Sequence, residues 1–180
     1  MGTCFAVEAA WSEEEAPPRA WTEEPPLDEA CIDCGLCLRA CPMGALDGAG
    51  YVDTARCLRA LAAKNAPPMP EEAMALTGNS LWGCDLCQLA CPRNAAVRPV
   101  PMPEDVRDAI SLGRLLAGDT RALAPLIGTN YARKTRMRIR ACLVAACLGK
   151  SEHLPAIRAL AVDPLVGPCA KWAARRLEER

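Results

Sequence analysis

The chain is poor in histidine and in aromatic residues. Among its 180 residues there is one histidine, His153, and phenylalanine, tryptophan and tyrosine together make up 4% of the sequence. A lone histidine argues against a zinc site built from histidine pairs, and we find no recognisable motif for a catalytic base or nucleophile. A core with few large rings usually needs a further constraint, which a bound metal can supply.

Long apolar runs and a secretory signal are also missing. No apolar stretch approaches the roughly 18 residues that a membrane-spanning helix needs, so we expect no membrane contact. Met1 is not followed by the basic segment that opens a signal peptide. We therefore expect a cytoplasmic protein, in which thiols stay reduced instead of forming disulfides.

The net charge of −1 conceals an uneven distribution along the chain. Residues 1–30 carry eight acids and one base, whereas residues 121–180 carry four acids and twelve bases. This surplus of positive charge towards one end predicts a polyanionic partner for the C-terminal part.

Cysteine, in contrast, is abundant, with 12 residues, and eight of them lie in or between two related windows. The first window has the pattern C-x2-C-x2-C-x3-C-P, formed by Cys31, Cys34, Cys37, Cys41 and Pro42. The second window follows at an offset of 50 residues, with Leu81 in place of the first cysteine, and continues with Cys84, Cys87, Cys91 and Pro92. Cys57 lies between the two windows.

Eight thiolates are what two 4Fe-4S clusters need, since each cluster takes four. In two-cluster proteins with this run, the fourth cysteine ligates the other cluster. One cluster is therefore predicted to take Cys31, Cys34, Cys37 and Cys91. The other is predicted to take Cys41, Cys57, Cys84 and Cys87, with Cys57 supplying the ligand that Leu81 cannot. The two prolines, Pro42 and Pro92, are each predicted at the first position of a helix, where a missing N–H costs nothing.

Zinc is the alternative metal, because paired C-x2-C units also occur in zinc sites. Those sites usually close two pairs around one ion, whereas the four-cysteine run followed by proline is typical of iron–sulfur proteins. We therefore favour two 4Fe-4S clusters. The cysteines outside the windows are predicted to be small buried core residues; these are Cys4, Cys142, Cys147 and Cys169.

The predicted fold class is mostly α, with α+β character only at the N-terminal edge. Three segments are expected. Residues 1–30 would form a strand remnant and an acidic, proline-rich connector, and residues 31–98 a bacterial-ferredoxin-like domain with two clusters. Residues 99–180 would form an α-helical, HEAT-like domain.

Start and stop signals predict individual elements. Tyr51–Val52 suits a short strand, and Asp53 or Thr54 can cap a helix that runs to about Lys64. A single helix is expected from Pro103 to Gly118, and a long one from Tyr131 to Leu148 that Gly149 terminates. The pair Asp163-Pro164 predicts the start of the last helix.

Several cations fall on the long helix. Helical periodicity places Arg133, Arg136 and Arg140 on the face opposite Met137 and Ala141, and therefore towards solvent. Together with Lys134 they are candidates for contacts with RNA phosphates, and a solvated charged face is the alternative.

The cysteine pattern resembles that of the epoxyqueuosine reductase family. The family's iron–sulfur part carries the four-cysteine run, a lone cysteine about sixteen residues later and a G-C-D-x-C-Q-x-x-C-P-x-N motif, which residues 83–94 match. Asp163-Pro164-Leu165-Val166 and Trp172-Ala173 resemble the family's last helical repeat. The resemblance covers the family's C-terminal half and implies reduction of epoxyqueuosine in tRNA to queuosine, with cobalamin supplied with electrons by the two clusters.

The sequence also departs from the family. The family's N-terminal domain, which holds most of the cobalamin site and the catalytic acid, has no counterpart here, so no catalytic residue is carried over. The family's S-Y-L-T-I-E segment is replaced by residues 59–64, RALAAK. Cobalamin is therefore expected only with a cobalamin-binding partner or a separately encoded N-terminal half.

Three functions are compatible with these observations. The preferred one is an iron–sulfur electron-transfer protein, an oxidoreductase component that passes electrons to a cobalamin centre. The second is a divergent or truncated epoxyqueuosine reductase that acts directly on tRNA. The third is a helical scaffold whose clusters have only a structural role.

Overall fold

The computed structural model describes residues 31–63, 69–97 and 101–180 as a largely helical protein. These residues contain ten α-helices, α1 to α10 in chain order: Leu36–Ala40, Leu58–Ala63, Glu71–Ala75, Leu86–Leu89, Glu104–Ala109, Leu112–Ala117, Ala124–Ile127, Lys134–Leu148, Leu154–Ala159 and Gly167–Glu178. Three short 3-10 helices complete the described elements: Pro92–Asn94, Ser151–His153 and Leu160–Val162. The predicted mostly α class is confirmed.

No strand is present in these three stretches, which hold a single isolated antiparallel bridge between Leu46 and Val52. The expected strand at Tyr51–Val52 is therefore reduced to one bridge. The strand remnant and the acidic connector expected in residues 1–30 lie outside the described residues, and so does Cys4. No helix in the described part of the chain is long and apolar enough to cross a membrane.

Helix α8 is the central element. It packs against four other helices, α2, α3, α6 and α10. Its residues from Ile139 to Ala146 are all buried. Because neighbours cover more than one side, the helix has no continuous solvent face, and the predicted division into an apolar and a charged face is wrong. Arg140 is buried, whereas Leu148 is 48% exposed.

Glycines end the helices where the sequence predicted stops. Gly149 follows α8 with a left-handed φ of 67°, and Gly118 follows α6 with a φ of 78°. Their N–H groups close the last turns by donating to carbonyls within the preceding helix. These two stops are confirmed.

Helix starts were predicted less well. The helix expected from Pro103 to Gly118 is two helices, α5 and α6, because Ser111 between them adopts an extended conformation with ψ of 134°. The Asp53 carboxylate caps the turn that follows it, since it accepts the Ala55 N–H at 2.8 Å. Helix α2, however, begins only at Leu58. Asp163 likewise accepts the N–H groups of Leu165 and Val166 before α10 begins at Gly167.

One hydrophobic core joins most of the helices. It contains buried residues of α6, α8, α9 and α10 together with Met74 of α3 and Leu81. Cys142 and Cys169 lie within it, and burial raises the pKa of Cys142 to about 12 and that of Cys169 to about 11. Cys147 is half-buried and packs against the same core. These three cysteines are therefore core residues, as predicted.

The core crosses the expected domain boundary at residues 98–99, since Met74 and Leu81 pack with residues of the helical part. The boundary and the HEAT-like character of residues 99–180 stay predictions. A second, smaller cluster of Leu58, Leu61 and Ala73 lies closer to the cysteines, and the partly buried residues against it include Met43 and Cys84.

Candidate metal centre

The two cysteine windows are brought together by the equivalent helices α1 and α4. Each helix begins at the leucine directly before Cys37 or Cys87, and the two helices pack against each other. Cys37 lies on α1 and Cys87 on α4. A repeat separated by 50 residues in the sequence therefore becomes a pair of neighbouring helices.

The last cysteine of each window has the same backbone conformation. Cys41 has φ −75° and ψ 110°, and Cys91 has φ −78° and ψ 122°, both extended, as expected before a proline. Pro92 begins the 3-10 helix that the sequence predicted. Pro42 begins only a turn, so the helix expected after it is wrong; the Gly44 φ of 56° marks the end of that turn.

A cavity of about 130 Å³ lies between the windows. Four cysteines line it: Cys41, Cys57, Cys84 and Cys87. Most of the remaining lining is apolar and comes from Pro42, Met43, Ala45, Leu46, Val52 and Leu58, and two polar residues, Arg59 and Gln88, complete it. These four cysteines are the ones that the spacing assigns to a single cluster, although they come from three separate segments.

The cavity suits a bound cationic centre. It is far larger than the 10–15 Å³ or so that a single water needs. The pKa of Cys87 is raised first by burial, then by the thiolate of Cys84 and, less strongly, by that of Cys41, while backbone N–H groups act in the opposite direction. Thiolates this close repel one another, and iron would relieve the repulsion because it binds the deprotonated form.

A backbone N–H is already directed at one of these sulfurs. Ala45 donates its N–H to Cys41 Sγ at 3.2 Å. Hydrogen bonds of this kind to ligand sulfurs are among the factors that set the reduction potential of a cluster.

The other predicted ligand set lies in a more open loop. Cys31 and Cys34 are exposed, whereas Cys37 and Cys91 are half-buried. Asp33, with φ 51°, and Gly35, with φ 64°, are both left-handed, so the loop curls tightly ahead of α1. Asp33 donates its N–H to Cys31 Sγ at 3.4 Å. Cys37 on α1 and Cys91 directly after α4 are carried by packed helices.

Within the described ranges, no three or more His, Cys, Asp or Glu side chains are arranged to hold one metal ion. Two polar side chains of the second window's segment, Gln88 and Asn94, make hydrogen bonds within that segment. The Gln88 amide Nε2 lies 3.4 Å from Asp85 Oδ1, and Asn94 donates from Nδ2 to the Gln88 carbonyl at 2.8 Å.

The predicted RNA-contacting cations separate into two groups. Arg140 is only 2% exposed and donates to the carbonyls of Leu81 and Ser80, so its assignment to a phosphate-facing surface is wrong. Arg136 is half-buried and donates to the Ala63 carbonyl at the end of α2. Arg133 and Lys134 are exposed.

Sequence reasoning missed Arg59. This residue lines the cavity beside the cysteines and donates to the Trp82 carbonyl at 3.2 Å. Its position two residues after Cys57 was the available signal, but its partner lies 23 residues away in the sequence.

Comparison with known proteins identifies the chemistry of these windows. Residues 30–94 match the family model of the 4Fe-4S double cluster binding domain. Epoxyqueuosine reductase from Aliivibrio fischeri is 41% identical over 69 residues, which are 38% of this chain and 19% of that protein. The residues that match the family model, 30–94, contain all eight cysteines of the two predicted ligand sets. Iron–sulfur clusters are therefore supported over zinc.

Solved structures share the fold. The structure of epoxyqueuosine reductase from Bacillus subtilis is 30% identical with a TM-score of 0.66, and the match covers 82% of this chain and 42% of that one. An epoxyqueuosine reductase crystallised with an epoxyqueuosine-modified tRNA-Tyr stem loop matches with the same identity, TM-score and coverage. The chain spans less than half the length of each of these relatives. The division of the cysteines between two clusters stays a prediction.

Proposed function

Because the chain belongs to the epoxyqueuosine reductase family and carries a 4Fe-4S double cluster domain, we propose that it is an electron-transfer protein that delivers single electrons to a cobalamin centre. The observation that carries the proposal is the cavity lined by four cysteines from three segments. A 4Fe-4S cluster, when bound, accepts and releases one electron at a time.

The ligand sets of the proposal follow the spacing. Cys41, Cys57, Cys84 and Cys87 hold one cluster, and their common cavity supports this assignment. Cys31, Cys34, Cys37 and Cys91 hold the other, supported by the packing of α1 against α4. Each window thus contributes to both clusters, and the two clusters are neighbours in a relay.

The protein supplies positioning and environment for this relay. Apolar side chains such as Met43 and Leu58 limit water around one cluster, and the Ala45 N–H is directed at a ligand sulfur. Solvent access and such hydrogen bonds set the potential at which the cluster exchanges its electron. The acceptor in the proposal is cobalamin on a partner protein or a separately encoded N-terminal half.

The first experiment is anaerobic purification followed by measurement of iron and acid-labile sulfide. Two clusters predict about eight iron atoms and about eight sulfides per chain. Reduction by dithionite should then produce the electron paramagnetic resonance signals of reduced 4Fe-4S clusters. A colourless, zinc-loaded protein would contradict the proposal, and clusters that no strong reductant reduces would favour the scaffold function instead.

A second candidate function is direct action on tRNA. It is favoured by the relative crystallised with a modified tRNA stem loop and by the exposure of Arg133 and Lys134 at the start of α8. Phosphate contacts make binding weaken steeply with salt. We expect tRNA binding to fall in a variant with Arg133→Glu and Lys134→Glu and to persist with Arg121→Glu; absence of binding by the wild-type chain at low salt would contradict this candidate.

A further inference from the structure

Two arginines flank the lone cysteine, Cys57, and neither has a carboxylate partner in the part of the chain that the structure describes. Arg56 precedes it, Arg59 follows two residues later, and both side chains are exposed. The salt bridges of the described residues involve other arginines: Arg114, Arg121, Arg158 and Arg175. Within residues 31–63, 69–97 and 101–180, the two guanidinium charges near Cys57 are therefore not paired with an acid.

Arg59 packs against the segment that leads into Cys84. Its Nη1 donates to the Trp82 carbonyl at 3.2 Å. Its stem lies on Gly83, since a Cβ added to that glycine would be 2.7 Å from Arg59 Cδ and 3.0 Å from Arg59 Cα. The same side chain lines the cavity together with Cys57 and Cys84. Arg59 thus combines contact with the ligand-bearing backbone and a charge beside the cysteines.

Arg56 makes a related contact with the other window. A Cβ added to Gly44, three residues after Cys41, would lie 3.2 Å from Arg56 Nη2. The two arginines therefore lie against the backbones of the two loops that bring Cys41 and Cys84 to the cavity, each at a glycine with positive φ.

We propose that Arg56 and Arg59 set the reduction potential of the cluster held by Cys41, Cys57, Cys84 and Cys87, and that Arg59 also positions the backbone of Trp82 and Gly83. The proposal rests on the cluster sites of the proposed function. Reduction adds one negative charge to the cluster, and a nearby positive charge stabilises the reduced state. Both arginines raise the potential, and because they are exposed the effect weakens as salt is added.

The test uses the full chain reconstituted anaerobically with iron and sulfide. Arg59→Gln and Arg56→Gln each remove one positive charge near the cavity. Arg158→Gln is the matched control: it removes the same charge from α9, which packs on α6 and α10. Iron content is measured first, and the midpoint potentials of both clusters are then determined by a dithionite titration followed by electron paramagnetic resonance.

We expect Arg59→Gln and Arg56→Gln to shift one cluster to a more negative potential, and the shift to shrink at high salt. The cluster assigned to Cys31, Cys34, Cys37 and Cys91 serves as an internal control and should not shift, and Arg158→Gln should shift neither cluster. Arg59→Lys keeps the charge but loses the geometry of the guanidinium, so its potential should stay near that of the wild type while a chelator removes its iron faster.

The outcomes separate this proposal from the proposed function. A wild-type chain that takes up no iron–sulfur cluster refutes the proposed function itself. Fully loaded Arg59→Gln and Arg56→Gln proteins with the potentials of Arg158→Gln would overturn the role of the arginines. If the Arg59→Gln protein loses its iron, the Arg56→Gln protein tests the effect of charge. A more negative midpoint potential in Arg56→Gln supports the role of the arginines, and an unchanged potential overturns it.

Discussion

At the scale of the residue, Arg140 carries a buried charge, and its hydrogen-bond acceptors in the described part of the chain include no carboxylate. Its guanidinium donates to Ser80 O at 2.7 Å, to Leu81 O at 3.2 Å and to Thr77 Oγ1 at 3.4 Å. Burial lowers the pKa of Arg140 to about 10, which leaves the side chain charged at neutral pH. This arginine ties α8 to the loop that precedes the second cysteine window.

Replacing Arg140 with methionine keeps much of its volume but leaves the two carbonyls without a donor. Unpaired buried polar groups cost about 1–3 kcal/mol each, so we expect Arg140→Met, which leaves two of them, to lower the free energy of unfolding by about 2–6 kcal/mol. Lys171→Met, at an exposed side chain of α10, should leave the free energy of unfolding nearly unchanged. Urea denaturation measures both; equal stabilities would contradict a structural role for Arg140.

Gly83 and Gly78 form a matched pair for a second substitution. Both have positive φ, 130° and 59°, so alanine is strained at either position. A Cβ added at Gly78 would meet no described atom beyond its chain neighbours within 4 Å, whereas a Cβ at Gly83 would meet Arg59. We expect Gly83→Ala to reduce the iron bound per chain and Gly78→Ala to leave it unchanged, with iron assayed after identical reconstitution. Full iron loading in both variants would show that this contact is dispensable.

Asp119 gives a pH-dependent prediction. Hydrogen bonds from the Arg121 side chain, then the Arg121 N–H and the Arg114 side chain, lower the pKa of Asp119 to about 2. Because the folded pKa is depressed, this stabilisation is present above the ordinary value of 3.8 and is lost as pH falls through about 2. Carboxyl NMR titration should give a higher pKa for Asp119 in Arg121→Gln than in the wild type. An unchanged value would exclude Arg121 as the main cause.

At the scale of the element, the pairing of α1 with α4 predicts cross-ligation. Cys41 follows α1 but lines the cavity with three cysteines from beyond its own window. We expect Cys41→Ser to weaken the cluster of Cys57, Cys84 and Cys87 and to leave the other largely intact, so that iron falls from about eight to about four atoms per chain. Cys147→Ser is the control, since Cys147 lies in the helical core. Loss of both clusters, or of the other one, would show that the assignment is wrong.

Local sequence signals predicted those parts of the elements that depend on neighbours in the chain. Gly118 and Gly149 end helices because left-handed backbone is easiest for glycine, and the pre-proline cysteines are extended for a similarly local reason. The break between α5 and α6 was missed, because the apolar residues on both sides of it continue one helical pattern, although Ser111 is a typical N-cap residue and Gly113 follows it.

Long-range contacts explain the remaining errors. Periodicity assumes one buried and one exposed face, but α8 is covered by α2 and α3 as well as by α6 and α10, and this burial includes Arg140. The role of Arg59 depends on Trp82, and nothing near Arg59 in the sequence announces that partner. The four cysteines that line the cavity are those that the ligand spacing assigned to one cluster, and the pairing itself stays a prediction.

At the scale of the whole molecule, the two parts of the chain differ in what holds them together. Among the described residues, the large core around α8 contains neither the seven window cysteines nor Cys57, whereas the buried cluster beside the cavity is the small one of Leu58, Leu61 and Ala73. The expectation that metal holds the chain together therefore applies to the cysteine windows rather than to the helical part.

Iron removal tests this difference. After treatment with a chelator we expect far-UV circular dichroism to retain most of its helical signal, since α6 and α8–α10 keep their core. Limited proteolysis should cut within residues 31–63 and spare α8 and α10. A cooperative loss of all helical signal on removal of iron would contradict this expectation.

Three arginines of α8 donate hydrogen bonds to backbone carbonyls in three separate parts of the structure. Arg136 holds the last carbonyl of α2, which follows Cys57; Arg138 holds the end of α6; and Arg140 holds the approach to Cys84. Substitutions in α8 that break these hydrogen bonds would therefore disturb the segments that carry the cluster cysteines. Because iron–sulfur clusters are brown, such variants should be recognised by the pale colour of the purified protein. A screen of variants by colour, meant to find defects of the metal centre, would therefore also find substitutions in α8, although this helix contributes no predicted ligand.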